Sequence, residues 1–334
     1  MSFAKKVAVV ALFVIIILIL RSTFNVLLMV LAASIIALYF HGFAGLIERK
    51  LRLSHKWSMF ISIAGSFLIL ALLFWLIGAR VQSQISDLRD KLPTMVDQAK
   101  SQVSQYSWGK ELINQTSGEN SKKLMATAGK FFSSTFGVLG DLYIILFLGI
   151  FFTADPDIYK KGIIALVPSD RKEEGRQLLN ELGAKLKSWF KGMIFSMLIV
   201  GILTGIGLAI IGVPMFFALA VIAGILNFIP NFGPLIAMVP AVLIGLTLGM
   251  DTALIVAGLY IFIQTLESNL ITPSIQKKLV SIPPALIILA QLMIGSITGY
   301  LGIILATPVL LIIMVVVNQL YVKKQEEAQL ISSD

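Results

Sequence analysis

The chain alternates long apolar runs with short charged stretches. A helix that crosses lipid needs about 20 apolar residues, and several runs approach that length. Val7–Leu20 and Ser22–Phe40 read as a short helical hairpin joined at Arg21. Read as a secretory leader instead, the first run lacks a small-residue cleavage site after it. A basic stretch, 41–56, separates this pair from Trp57–Gly78, whose ends carry Trp57 and Trp75 as interfacial anchors. Residues 80–130 are polar, with mixed charge, and read as a helical excursion outside the membrane. Phe131–Ala154 is the next span, then a second polar region, 155–191, rich in Lys and Arg. Within it Leu178, Leu179, Leu182, Leu186 and Phe190 form a stripe at helical spacing. Such a basic amphipathic helix lies on the membrane surface or packs on a partner helix. Gly192–Gly212 and Asp251–Leu266 complete the conventional spans.

Two segments break the pattern. Pro214–Met250 and Ser281–Tyr321 carry no charge and are too long for one untilted helix. The first is interrupted at Asn227-Phe-Ile-Pro-Asn-Phe-Gly-Pro234, the second between Gly295 and Gly302. Lys and Arg gather on the cytoplasmic side of membrane proteins. Placing 41–56, 155–191, Lys277-Lys278 and Lys323-Lys324 inside makes both segments hairpins that enter from opposite faces. Both termini are then cytoplasmic. Backbone that leaves its helix inside hydrocarbon is tolerated only against protein or a water-filled cavity. Oppositely entering broken helices are a common way to build a transport site. Asn227, Asn231 and Gly233 in one tip, and Ser296, Thr298, Gly299 and Gly302 in the other, are the candidate lining. Each segment also reads as a full-length hairpin turning in water. Leu235–Ile244 and Ile303–Ile312 echo one another, with Pro240 opposite Pro308.

Composition supports the membrane reading: 57% of residues are hydrophobic and 13% charged, against roughly half and a quarter in soluble domains. The 334 residues read as one transmembrane domain, 1–334. The net charge of +9 is clustered as the positive-inside rule requires, not as a nucleic-acid footprint. There is no cysteine, and the two histidines share one loop, so thiol, zinc and imidazole chemistry are unsupported. Walker, HExxH and G-x-S-x-G patterns are missing. A non-enzyme without metal or cofactor is expected. Gly201 and Gly205, four apart in mid-span, read as helix packing.

Ionisable residues within spans are functional candidates. Asp141 reads as a proton or cation site, or as part of an interfacial helix start. Glu267, beside Gln264 and Asn269, reads as a coupling carboxylate, or as a helix-end acid paired with Lys277 or Lys278. Asp251 reads as a helix cap, and Arg80 closes its span.

NFIPNFGPLIAMVPA (227–241), QTLESNLITPSI (264–275), the stretch from Gly299 to Pro308 and DPDIYKKGIIALVP (155–168) resemble the autoinducer-2 exporter family of bacterial membrane proteins. The resemblance implies an all-α, polytopic protein of about eight transmembrane segments. It also implies transport: export of a small polar molecule such as the signal autoinducer-2, or exchange of sodium or lithium for protons. The motif residues carried over are Pro230, Gly233, Pro234, Pro240, Gln264, Glu267, Pro273, Gly302 and Pro308. Phe232 departs from the residues expected at its place. The expected partners are membrane lipid, a small-molecule or monovalent-cation substrate and further copies of the chain. The expected location is the bacterial inner membrane. A rival from another class is a non-transporting scaffold that docks through 80–130 and 169–191.

Overall fold

No glycine or proline falls between Phe3 and His41, so nothing in the backbone stops a helix once begun. A computed structural model of the chain describes residues 3–69, 71, 72, 75, 94, 97, 101, 104, 135–271, 282–322 and 325. Only the backbone is described for 3–22, 135–139 and 271. Helix α1 runs unbroken over Phe3–Leu51, about 74 Å at 1.5 Å per residue. The hairpin expected at Arg21 does not form. One polar Arg-Ser-Thr step costs a helix far less than a turn that opens its hydrogen-bond ladder inside an apolar run. The parity that put the amino terminus on the side of 41–56 goes with that hairpin. Arg52, at φ 53°, ends α1, and its N–H bonds Glu48 O at 2.9 Å. A second helix, α2, covers 55–69. Nearly all of the 80–130 region, with Arg80, lies outside the described residues.

Helix α3 spans Thr135–Ala154. Asp155 then caps α4, Pro156–Ala165: its carboxylate accepts from Ile158 N at 3.3 Å, and Pro156 opens the first turn. A short turn, Ser169–Arg171, leads into α5, Lys172–Ile211. The amphipathic stretch and the following apolar run are thus one helix. Leu186 and Trp189 are buried, Phe190 lies 6.1 Å from the Tyr39 ring, and a Cβ on Gly42 would meet Lys187. The carboxy-terminal end of the stripe, at Phe190, therefore packs on α1.

Gly212 ends α5 at φ 81°. Its N–H bonds Ala209 O, and that of Val213 bonds Leu208 O, a Schellman closure. Then come α6 (Phe216–Leu226), α7 (Phe232–Leu248) and α8 (Met250–Leu266), with Gly249 at φ 136° between the last two. Asp251 falls in the first turn of α8, where it meets the positive end of the helix dipole; Gly249 holds the cap position expected for it. Helices α9 (Pro284–Thr298) and α10 (Tyr300–Val317) are joined at Gly299, φ 67°. Every described element is helical. Four described helices are long and apolar enough to cross a membrane, or five if the bent pair α3–α4 counts as one span. α6, at about 16 Å, is half the hydrocarbon thickness of about 30 Å and cannot cross alone.

The chain forms two compact units. One contains Met1–Leu46, Gly140–Phe190 and Leu279–Asp334, the other Ile47–Leu139 and Lys191–Lys278. In the second, Leu208, Leu219, Ala223, Ala237, Ala241, Ile244, Val256 and Tyr260 make one apolar core from α5, α6, α7 and α8. Gly201 faces Ala220 O and Gly224 at about van der Waals distance, and a Cβ on Gly224 would lie 3.0 Å from Met197 O. The small residues let α5 and α6 approach backbone to backbone, as their spacing predicts.

Candidate functional site

In the second unit, three helices bring polar side chains to one point. The buried face of α5 runs through Trp189, Met193, Ser196, Val200, Thr204 and Leu208, about one turn apart. Ser196 is thus held inside by the residues around it. Helix α6 ends at Asn227, whose N–H still bonds Ala223 O. Helix α8 passes into a wider π-turn, Glu267–Ile271. Such turns are rare and recur at functional sites because they re-aim side chains.

Ser196 Oγ donates to Glu267 Oε1 at 2.8 Å. Asn227 Nδ2 donates to Ser196 Oγ at 3.1 Å. On its other oxygen, Glu267 accepts from Ser268 Oγ at 3.4 Å, and Gln264 Nε2 lies 3.5 Å away. Gln264 Nε2 also donates to Ser268 Oγ at 3.2 Å. Ser196 and Asn227 are each 3% exposed, so the serine hydroxyl works in both directions away from water. A carboxylate in apolar surroundings needs donors of this kind. Only a hydroxyl can accept from the amide and donate to the acid through one atom.

The break that frees Asn227 is built from residues named by the sequence. Asn231 adopts φ 68°, and its side chain makes no cap bond. Any Cβ at Gly233 would overlap Leu226 O, so the chain closes on itself there. Pro230 lies in the turn, and Pro234 sits in the first turn of α7, where its missing N–H costs nothing. Pro240, further in, deprives Ile236 O of its donor.

The other unit holds a smaller arrangement. Asp141 lies six residues after the start of α3 and is half-buried. This places it inside the helix, not at its first residues. Its Oδ2 accepts a hydrogen bond from the hydroxyl of Tyr300, the first residue of α10. Tyr300 follows Gly299, and a Cβ on Gly302 would overlap Thr298 Oγ1 and come 2.7 Å from Ile294 O. Thr298 Oγ1 itself bonds Ile294 O at 2.8 Å, while Ser296 bonds back to Met293 O.

Asn227, Gln264 and Glu267 are therefore brought together, and Asp141 is brought to the Gly299 tip. Pro273, Lys277 and Lys278 lie outside the described residues. Ser196 and Tyr300 were not anticipated. Ser196 had a signal: with Thr204 it shares the helical face of Val200 and Leu208. Tyr300 had none beyond its place after Gly299. Thr204 Oγ1, Tyr260 OH and Thr307 Oγ1 are buried without a partner among the described residues.

The profile of the AI-2E family transporter matches residues 7–322. YueF of Bacillus subtilis is 27% identical over 258 residues, 72% of this chain and 70% of its own length. YrrI, from the same organism, is 33% identical over 164 residues, 49% of this chain and 46% of its own. PerM of Escherichia coli is 25% identical over 179 residues, 53% of this chain and 50% of its own. The first two are provisionally named transport proteins, the third a permease. The match spans about half the length of YrrI and of PerM. With helices of this length and apolarity, the chain is a multi-pass membrane protein and belongs to the AI-2E family of transporters.

Proposed function

We propose that this transporter exports a small polar molecule, of the kind autoinducer-2 represents, and that ion movement through Glu267 drives it. The bridge Asn227–Ser196–Glu267 carries the reading. It ties the end of the broken helix α6 to a carboxylate, so the charge on Glu267 bears on the geometry of the break. A polyol or hydroxyketone offers the donors and acceptors that would compete for Ser196 and Asn227. The arrangement of amides and hydroxyls suits a neutral polar solute better than an anion. On this reading the protein sits in a bacterial inner membrane as a homo-oligomer, with 41–56 and 155–191 facing the cytoplasm.

The test is flux of autoinducer-2 from proteoliposomes with and without an ion gradient. Glu267→Gln keeps the shape and removes the charge. We expect gradient-driven flux to fall roughly 10- to 100-fold, the worth of a hydrogen bond to a charged group. Equal driven flux in the variant and the parent would remove Glu267 from coupling.

A second reading is exchange of sodium or lithium for protons, favoured by the half-buried Asp141 with its Tyr300 partner. It calls for sodium- or lithium-driven acidification or alkalinisation in the same vesicles. Vesicles whose internal pH ignores both cations would dismiss it.

A further inference from the structure

Helix α4, the ten residues Pro156–Ala165, takes no part in the site described above. It leaves the apolar part of α3 at 89°. Ile158 is 63% exposed, Tyr159 40%, Ile163 50%, and Leu166, just past its end, 86%. At about 100° per residue these positions and Gly162 share an arc of about 140°. Lys160 and Lys161 fall on either flank of that arc, and both are exposed. Asp157 falls opposite its centre. On the same far side Ile164 is the exception, and it has a partner: its Cδ1, with Val167, faces Gly175 of α5. One face of α4 is thus seated on the protein; on the other, the Tyr159 ring packs edge-on against Phe152 of α3 at 4.6 Å, while Ile158, Ile163 and Leu166 stay exposed.

We infer that α4 lies in the membrane interface and that Lys160 and Lys161 bind the headgroups of anionic lipid. Three observations choose this occupant. The bend comes where the apolar run of α3 ends, which turns α4 across a span instead of along it. The flanking lysines can keep their ammonium groups at headgroup level while their stems cover apolar surface. The acid points away from lipid, where an anionic surface repels it least. Two charged ends so close together forbid deep insertion, and the apolar arc suits burial of about 5–10 Å. The amphipathic stretch 172–190 suits this role less, because Leu186 is buried and Phe190 packs on Tyr39 of α1. The helix then fixes the depth of α3's end and of the start of α5.

The chain has no cysteine, so Ile163→Cys and Leu166→Cys can each carry a single bimane label on the full-length protein. In dioleoylphosphatidylcholine vesicles with added dioleoylphosphatidylglycerol, a spin label near the lipid carbonyls should quench both positions strongly, and aqueous iodide should not. Raising the fraction of phosphatidylglycerol should increase lipid quenching. Replacing both lysines by glutamine should weaken that preference about thirtyfold, and one lysine about fivefold. Free iodide quenching at both sites would overturn the proposal. So would protection from both quenchers, which would mean a protein partner or a second copy covers the face. Lipid quenching with unchanged phosphatidylglycerol dependence in Lys160→Gln/Lys161→Gln would refute the headgroup site. Because the readout is label position, loss of transport in a variant does not affect it.

Discussion

Glu267 and Asp141 are both acids in apolar helices beside a break, yet they are held differently. Glu267 is reached through a hydroxyl that is itself held by an amide from another helix. Asp141 meets a phenol directly. A bridge of two bonds transmits a change at the acid to a third element; a single bond can only form or release. The two breaks differ in the same sense. Gly233 closes on the backbone carbonyl of Leu226, while Gly302 closes first on the side chain of Thr298. A side chain can rotate aside, and a carbonyl locked in a helix end cannot.

That contrast sets the largest expected effect. Gly233→Ala should lower stability by about 1–3 kcal/mol, as overpacking against fixed atoms does. Gly302→Ala should cost less, although Ile294 O at 2.7 Å keeps it from being free. Thermal unfolding of the two purified variants in detergent gives the ranking. A larger loss at Gly302 would mean that Thr298 is as rigid as the backbone.

Next comes the bridge. Ser196→Ala removes the hydroxyl shared by the buried Asn227 amide and the half-buried Glu267 carboxylate, a cost of about 1–3 kcal/mol. Ser196→Thr keeps the hydroxyl and should restore most of it. Both should be read as KM and maximal flux in vesicles. We expect Ala to lower the maximal rate and Thr to recover it. Equal behaviour of Ala and Thr would show that only packing at this position counts.

The periodic runs made the helical class legible, and the Asn-Pro-Gly tip and Gly299 marked where the helices break, while Gly302 lies inside α10. The tip and Gly299 did so because a break needs residues that relinquish a donor or tolerate positive φ, and those are few. Helix continuity was less legible. Arg21 looked like a turn, but α1 runs through it, since charge alone does not open a helix. The join at Lys191 and Gly192 likewise hides one long helix. Ser196 was missed because a serine in a transmembrane run is most often a small packing residue. Its role depends on Asn227 and Glu267, which lie 31 and 71 positions away. No local pattern records such a meeting.

The smallest effect belongs to Tyr300. Tyr300→Phe removes one hydroxyl from a half-buried acid, and water can replace it, so the loss should be about 0.5–1.5 kcal/mol. A double-mutant cycle with Asp141→Asn isolates the bond, provided each change only deletes it. If the bond latches the Gly299 tip to α3, the two losses should overlap, so that the double variant is about as stable as the worse single one. Additive losses would mean that Tyr300 and Asp141 act separately. Asp141 would then have to be explained by whatever else it meets, and the likeness between the two acids would end at their burial.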